Sequence, residues 1–266
     1  MEIFIIKCQT SGRLIFLFLM NNWILLVIEG STHLVNLDSK IIDVKGFGRF
    51  PSKLLDGKEL NEEFELFDKK AKLINSNQSD FYLNLKRGPQ IISPKDAAWI
   101  IYKSGISAGD TVIEAGSGSG ALTLSLVQAI SPNGKVITFE NNSKHFKIAN
   151  RNIKMSPWSD LVDIRKEELS ENTEAIDASS VILDLPKPWT LVKWSTNSLK
   201  IGGVLICYLP TVNQVQTLLE TLGNWEEIEI IENIQRSWQS KVNALRPQSN
   251  MIGHTGFIVS ARWLGK

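Results

Sequence analysis

The 266-residue chain carries 29 Lys and Arg against 28 Asp and Glu, a formal net charge of +1, with 43% hydrophobic and 21% charged residues. That length supports one large or two small domains with ample core, and the near-zero charge excludes a globally basic nucleic-acid binder. Two cysteines, Cys8 and Cys207, sit in apolar runs without metal or redox spacing, and read as small core residues of a chain in a reducing, cytoplasmic compartment.

The first residues hold two apolar runs, Leu14–Met20 and Trp23–Ile28, split by Asn21-Asn22. Neither approaches the roughly 18 residues of a spanning helix, and no basic leader or small-residue cleavage site accompanies them. No membrane partner is expected; residues 1–19 read as an extension ahead of Met20. From residue 20 to 85 short β-prone runs alternate with turns: Trp23–Glu29, His33–Leu37, Ile41–Lys45, Lys72–Ile74 and Phe81–Leu85, punctuated by Gly30, Gly46, Gly48 and Asp56-Gly57. This predicts a small, mostly antiparallel β domain. A helix follows at Ser93–Tyr102, with Ser as cap, Pro at the first helical position and Asp in the first turn.

The stretch Asp110-Thr-Val-Ile-Glu-Ala-Gly-Ser-Gly-Ser-Gly-Ala-Leu-Thr-Leu-Ser-Leu126 organises the remainder, 86–266. It reads as a buried strand, a glycine turn and an amphipathic helix. Gly116, Gly118 and Gly120 let the backbone turn tightly and approach a ligand, and the helix start offers unpaired N–H groups. Val136–Glu140 is a second strand ending in an acid about 20 residues on, placed to accept hydrogen bonds from ribose hydroxyls. The pattern defines a nucleoside-cofactor site.

Alternation then continues: helix Ser143–Asn152, strand Val162–Arg165, strand Val181–Leu185, helix Leu191–Ser198, strand Val204–Leu209 and helix Val212–Leu222. Two strands, Glu226–Gln235 and Gly256–Trp263, close the chain with no helix between them, so one enters antiparallel. The fold class is α/β, a doubly wound sheet with an antiparallel final strand behind a small β-rich domain. Ligands of such sheets bind at the carboxyl ends of the strands, here Glu114 to Gly116, Glu140, Glu167-Glu168, Asp184 and Tyr208. Asp184-Leu-Pro-Lys-Pro-Trp189 sets a carboxylate beside a rigid aromatic turn suited to a planar ring. Arg246 to Phe257 forms a polar, glycine-rich loop holding His254. From Asn233 to Lys266 five cations occur without one acid, which hints at a polyanionic partner.

Four motifs occur in the order found in one family: Arg87-Gly-Pro-Gln-Ile-Ile-Ser-Pro-Lys-Asp-Ala-Ala98, Glu114-Ala-Gly-Ser-Gly-Ser-Gly-Ala-Leu-Thr123, Asp184-Leu-Pro-Lys-Pro-Trp189 and Gly253-His-Thr-Gly-Phe257. From about Met20 to Lys266 the chain resembles the tRNA (adenine(58)-N(1))-methyltransferases, class I S-adenosylmethionine-dependent enzymes of bacteria and archaea that assemble as homotetramers. The resemblance implies that S-adenosyl-L-methionine is the cofactor, held by Gln90, Glu114, Gly116, Gly118, Ser119, Gly120, Ala121, Leu122, Glu140, His145, Glu168 and Asp184. It makes Asp184 the catalytic carboxylate, and sets Tyr208 and Trp189 beside the target base. Arg246, His254, Lys86 and Arg87 are assigned to tRNA. No metal is implied. The family often has Tyr where this chain has Ser93, so one wall of the base pocket would be rebuilt by Trp99 or Trp189. Two alternatives are a class I methyltransferase with another substrate and a non-catalytic RNA-binding subunit. The intact glycines, Glu140 and Asp184 speak against the second.

Overall fold

The computed structural model describes residues 5–10, 13–18 and 22–265. Met20 and the side chain of Cys8 lie outside the described residues. The chain falls into two compact units, residues 1–85 with 155–157, and residues 86–154 with 158–266.

In the first unit, β1 (Ile5–Thr10) and β2 (Arg13–Phe18) form an antiparallel ribbon. Next come β3 (Trp23–Ile28), β4 (Ser31–Asn36), β5 (Ile41–Val44), β6 (Gly48–Pro51), β7 (Phe64–Leu66) and β8 (Lys69–Asn75). They build a four-stranded antiparallel sheet in the order β4-β3-β8-β7, and a separate β5-β6 ribbon. Alternation drives the packing: Ile24, Leu26 and Ile28 of β3 turn inward onto Ile42, Val44, Phe50 and Leu73. The strand expected over Phe81–Leu85 is instead part of a helix, α1 (Gln78–Asn84). Asn77 overrides the β-prone run, because its side chain accepts from the N–H groups of Ser79 and Asp80 while the Asp80 carboxylate accepts from the Asn77 N–H.

In the second unit, α2 (Pro94–Ser104), β9 (Thr111–Ala115), α3 (Ala121–Ile130), β10 (Lys135–Phe139), α4 (Ser143–Ile153) and β11 (Val162–Arg165) are followed by β12 (Ala178–Leu183), α5 (Val192–Ser198), β13 (Leu199–Leu209), α6 (Val212–Leu219), β14 (Glu226–Glu232) and β15 (Phe257–Arg262). The seven strands order as β11-β10-β9-β12-β13-β15-β14. The β11 to β13 pairings are parallel, and β15 runs antiparallel to both neighbours. The antiparallel final strand is therefore as expected.

Odd and even residues feed two separate cores. Ile113, Ile137, Val181, Leu205 and Cys207 pack on one face with Trp194, Val215 and Leu218. Val112, Val136, Ile182 and Ile206 pack on the other with Ile100, Leu122, Leu126 and Ile130. Strands buried on both faces explain the apolar runs that replaced strict alternation in the sequence.

Several boundaries shift. Strand β14 ends at Glu232, three residues before the expected Gln235, and β13 begins at Leu199, five before the expected Val204.

Candidate active site

The site follows from strand register. Ala115 of β9 pairs with Phe139 of β10 and with Leu183 of β12, and Leu183 pairs with Cys207 of β13. The next residue on each strand is therefore Glu140, Gly116, Asp184 and Tyr208, one row across four neighbouring strands. Three strand spacings of ~4.8 Å give the row a width of roughly 14 Å. Identical register sets these four positions level at the carboxyl ends of the strands. The sequence placed each at a strand end; only the pairing shows that they stand level.

Gly116 is fixed by its neighbour. Its φ is +92°, and a Cβ there would stand 2.2 Å from the Asp184 carbonyl oxygen. The Asp184 N–H donates to the Ala115 carbonyl at 2.9 Å, so the glycine turn and the Asp184 turn are stitched backbone to backbone. Gly118 and Gly120 also hold positive φ, +56° and +79°; a Cβ at Gly120 would press on Ala149 of α4.

Glu140 is buried. It accepts from the Gly118 N–H at 2.9 Å through one oxygen and from the Asn142 N–H at 2.9 Å through the other. Each oxygen keeps a lone pair for a ligand hydroxyl. His145, half-buried, stands 4.0 Å from it. Glu114 is buried beneath the turn, where Thr123 and Thr138 donate to one oxygen at 2.5 and 2.6 Å. Burial above all, then the charges of Asp184 and Glu140, pushes its carboxyl up to about 7 against the pull of those hydroxyls. Asp184 is likewise pushed up to about 7, by burial first and by the Glu140 charge second. The three carboxyls lie close enough to act on one another, an arrangement that favours a cationic ligand.

Sequence reasoning missed Asn152. Buried on α4, it donates to the carbonyls of Ser119 and Lys86 at 2.8 and 3.0 Å and accepts the Lys86 N–H at 3.1 Å. It thus ties the glycine turn to the 86–90 segment. An apolar-face helix position gave no signal of this, because an asparagine there reads as a neutral substitution in the pattern.

Of the other expected residues, Ser119, Ala121 and Leu122 are buried in the turn and the start of α3, whereas Gln90 and Glu168 are exposed. Lys86, Arg87 and Arg246 are exposed as well. Trp189 lines a hollow of about 560 Å³ with Trp225 and Trp263. Another, of about 580 Å³, lies at the opposite, amino edge of the sheet beside Asp110, Lys200 and Arg262, far from the row. His254 spends both ring nitrogens on the protein itself, on the Glu232 carboxylate and on the Pro210 carbonyl at 3.0 Å. The Glu232 hydrogen bond raises its pKa. It pins the loop before β15 to the ends of β13 and β14.

Residues 233–256 form an exposed arm, closed by the Trp238–Pro247 bridge, with the Gln239 N–H donating to the Arg246 carbonyl at 2.8 Å. Arg236, Lys241 and Arg246 lie on it. Among the described residues no group of His, Cys, Asp or Glu is arranged to hold a metal ion, and no helix is long and apolar enough to cross a membrane.

This sheet order, with a glycine turn after β9 and acids after β10 and β12, defines a class I methyltransferase. Over residues 73–254 the chain matches the family described as tRNA methyltransferase complex GCD14 subunit, and it belongs to that family. It is 32% identical over 241 residues to the tRNA (adenine(57)-N(1)/adenine(58)-N(1))-methyltransferase TrmI of Methanocaldococcus jannaschii, covering 79% of this chain and 85% of that one. Among solved structures it is similar to the tRNA (m1A58) methyltransferase TrmI of Aquifex aeolicus, at 26% identity and TM-score 0.71, over 91% of this chain and 97% of that one. A Thermotoga maritima protein described as a SAM-dependent O-methyltransferase matches at 29% identity and TM-score 0.78, over 92% and 93% of the two chains.

Proposed function

We propose that the chain transfers the methyl group of S-adenosylmethionine to N1 of an adenine in the T-loop of tRNA, forming 1-methyladenosine, in the cytoplasm and as a homotetramer. Residues 20–85 would form an auxiliary β-rich domain and 86–266 the catalytic domain, with 1–19 an extension. The observation that carries the reading is the level row Glu140, Gly116, Asp184, Tyr208. Its carboxyls suit a sulfonium cation, and Gly116, with no Cβ to strike the Asp184 carbonyl, lets the turn lie close against the end of β12. The cofactor would supply an electrophilic methyl group.

The chain's own residues would do the rest. Glu140, with His145 4.0 Å away, and Glu168 would accept from the nucleoside end. The turn from Gly116 through Gly118, Ser119, Gly120, Ala121 and Leu122 would cradle the centre, shaped from beneath by Glu114. Gln90 would face the methionine end. Asp184 would accept a hydrogen bond from the adenine 6-amino group, orienting the ring and stabilising the positive charge that grows on it. Tyr208 would flank the extruded base, while Trp189, expected beside it, would stand apart in its hollow with Trp225 and Trp263. Lys86, Arg87, Arg236, Lys241 and Arg246 would contact phosphates, and His254 would hold in place the arm that carries the last three. Ser93 leaves no aromatic wall at its position.

Nucleoside mass spectrometry of unmodified tRNA incubated with the protein and cofactor tests this. 1-Methyladenosine in the T-loop is the expected product. Transfer to a hydroxyl acceptor alone would favour the chemistry named for the Thermotoga relative, and no transfer to tRNA overturns the reading.

A second outcome concerns Asn152. Asn152→Ala strands the buried Ser119 carbonyl and frees Lys86, a loss of roughly 1.4 kcal/mol. Calorimetry should show S-adenosylmethionine binding about tenfold weaker; unchanged affinity would show that the clamp does not shape the turn.

A further inference from the structure

Asp96 is wholly buried, with 0% exposure, three residues into the Ser93-Pro-Lys-Asp96 start of α2. An acid there ordinarily caps its own helix. Here neither the Ser93 nor the Asp96 side chain caps: the Ser93 hydroxyl donates to the Asp96 carboxylate at 2.9 Å. The Thr255 hydroxyl donates to the same oxygen at 2.8 Å and the Tyr208 hydroxyl at 3.2 Å, while Lys95 Nζ donates to the other oxygen at 2.8 Å and to Thr255 Oγ1 at 2.6 Å. One carboxylate thus gathers α2, the end of β13 and the loop before β15. Gly256 completes the fit, since a Cβ there would stand 2.6 Å from the Tyr208 ring.

We propose that Asp96 is a positioning residue for the base side of the site. It fixes the Tyr208 hydroxyl, and through it the ring plane next to Asp184 in the row, and it anchors the foot of the basic arm through Thr255. A buried, fully bonded charge cluster adds little stability over an apolar one of equal shape. What it adds is direction, because four donors converge on one group and each can point only one way. The proposal rests on the methyltransferase reading, in which Tyr208 flanks the base. It predicts that loss of Asp96 misplaces the base while leaving the cofactor side, two strands away, intact.

The test is a double-mutant cycle on turnover of unmodified tRNA with Asp96→Asn, Tyr208→Phe and the pair, alongside calorimetric cofactor affinity and NMR of labelled tyrosines. The chain has three tyrosines, so the Tyr208 ring signals are readily assigned. Asp96→Asn should lower kcat on the order of ten- to hundredfold, leave cofactor affinity within about twofold and mobilise the Tyr208 ring. The double variant should be no slower than the slower single one. Multiplying losses, or an unchanged ring, would overturn the proposal and leave Asp96 a folding residue. Should Asp96→Asn not fold, Thr255→Val removes one donor and enters the same cycle. If the wild type does not methylate tRNA, the functional reading fails, and the ring signals still decide whether Asp96 holds Tyr208.

Discussion

Replacing Asp184 with Ala is expected to lower methyl transfer to tRNA on the order of 10²–10³-fold while S-adenosylmethionine still binds. The carboxylate lies in the row beside the glycine turn, so its removal strips the group that would orient the 6-amino function, without touching Glu140. Asp184→Asn should lose nearly as much, since it keeps the size and forfeits the charge. Burial and the Glu140 charge push the carboxyl up to about 7, and the working form is the anion. For the free enzyme, kcat/KM should therefore rise with pH through about 7 and level off above it. With a sulfonium bound nearby, the opposite charge favours the anion, so the kcat profile should rise at lower pH. The stability sign is opposite to that of activity. A carboxyl whose folded pKa exceeds its unfolded value of 3.8 binds more protons when folded, so its contribution is present below that value and lost as pH rises through about 7. At pH 8 Asp184→Asn should thus melt higher than wild type, by ~2–4 °C for each kcal/mol recovered. Wild-type turnover in either variant would remove Asp184 from the mechanism.

The catalytic unit was legible in sequence because its signals are local. A strand, a glycine turn and a helix are written within Asp110–Leu126, and the acid at Glu140 closes the pattern. The missing helix between the last two strands announced the antiparallel β15. The level placement of Glu140, Gly116, Asp184 and Tyr208 was not legible, since register is set by pairing between strands far apart in the chain. Asp96 read as a first-turn helix acid and Asn152 only as the last residue of a helix, because nothing in either's own neighbourhood names its distant partners. In the first unit Phe81–Leu85 carries β-prone side chains, and only the Asn77–Asp80 pair reveals α1. Ser93 shows the reverse: its departure from the family pattern was plain in sequence, but its bond to Asp96 was not.

Substituting Gly116 with Ala should be the most damaging single-methyl change in the chain's glycine turn. The new Cβ would meet the Asp184 carbonyl oxygen at 2.2 Å and its carbon at 3.1 Å, and both are backbone. Neither can swing aside like a side-chain end, so β9 and β12 must part at the stitch where the Asp184 N–H reaches the Ala115 carbonyl. The φ of +92° adds strain of about 1–3 kcal/mol for any residue with a Cβ. Because that stitch fixes both the turn and Asp184, cofactor affinity and turnover should fall together, the former by at least about a hundredfold, equivalent to roughly 2.7 kcal/mol. Gly118→Ala meets nothing closer than Pro89 Cγ, a side-chain atom at 3.2 Å, and should weaken binding less. Gly223→Ala, with nothing within 4 Å, should bind and turn over as wild type does. Calorimetry with S-adenosylmethionine, run beside thermal melts of the three variants, separates two causes. If affinity drops in this order while the melts change little, the glycines serve the ligand. If the melting temperature of Gly116→Ala collapses and binding follows it, the close approach serves the packing of β9 on β12.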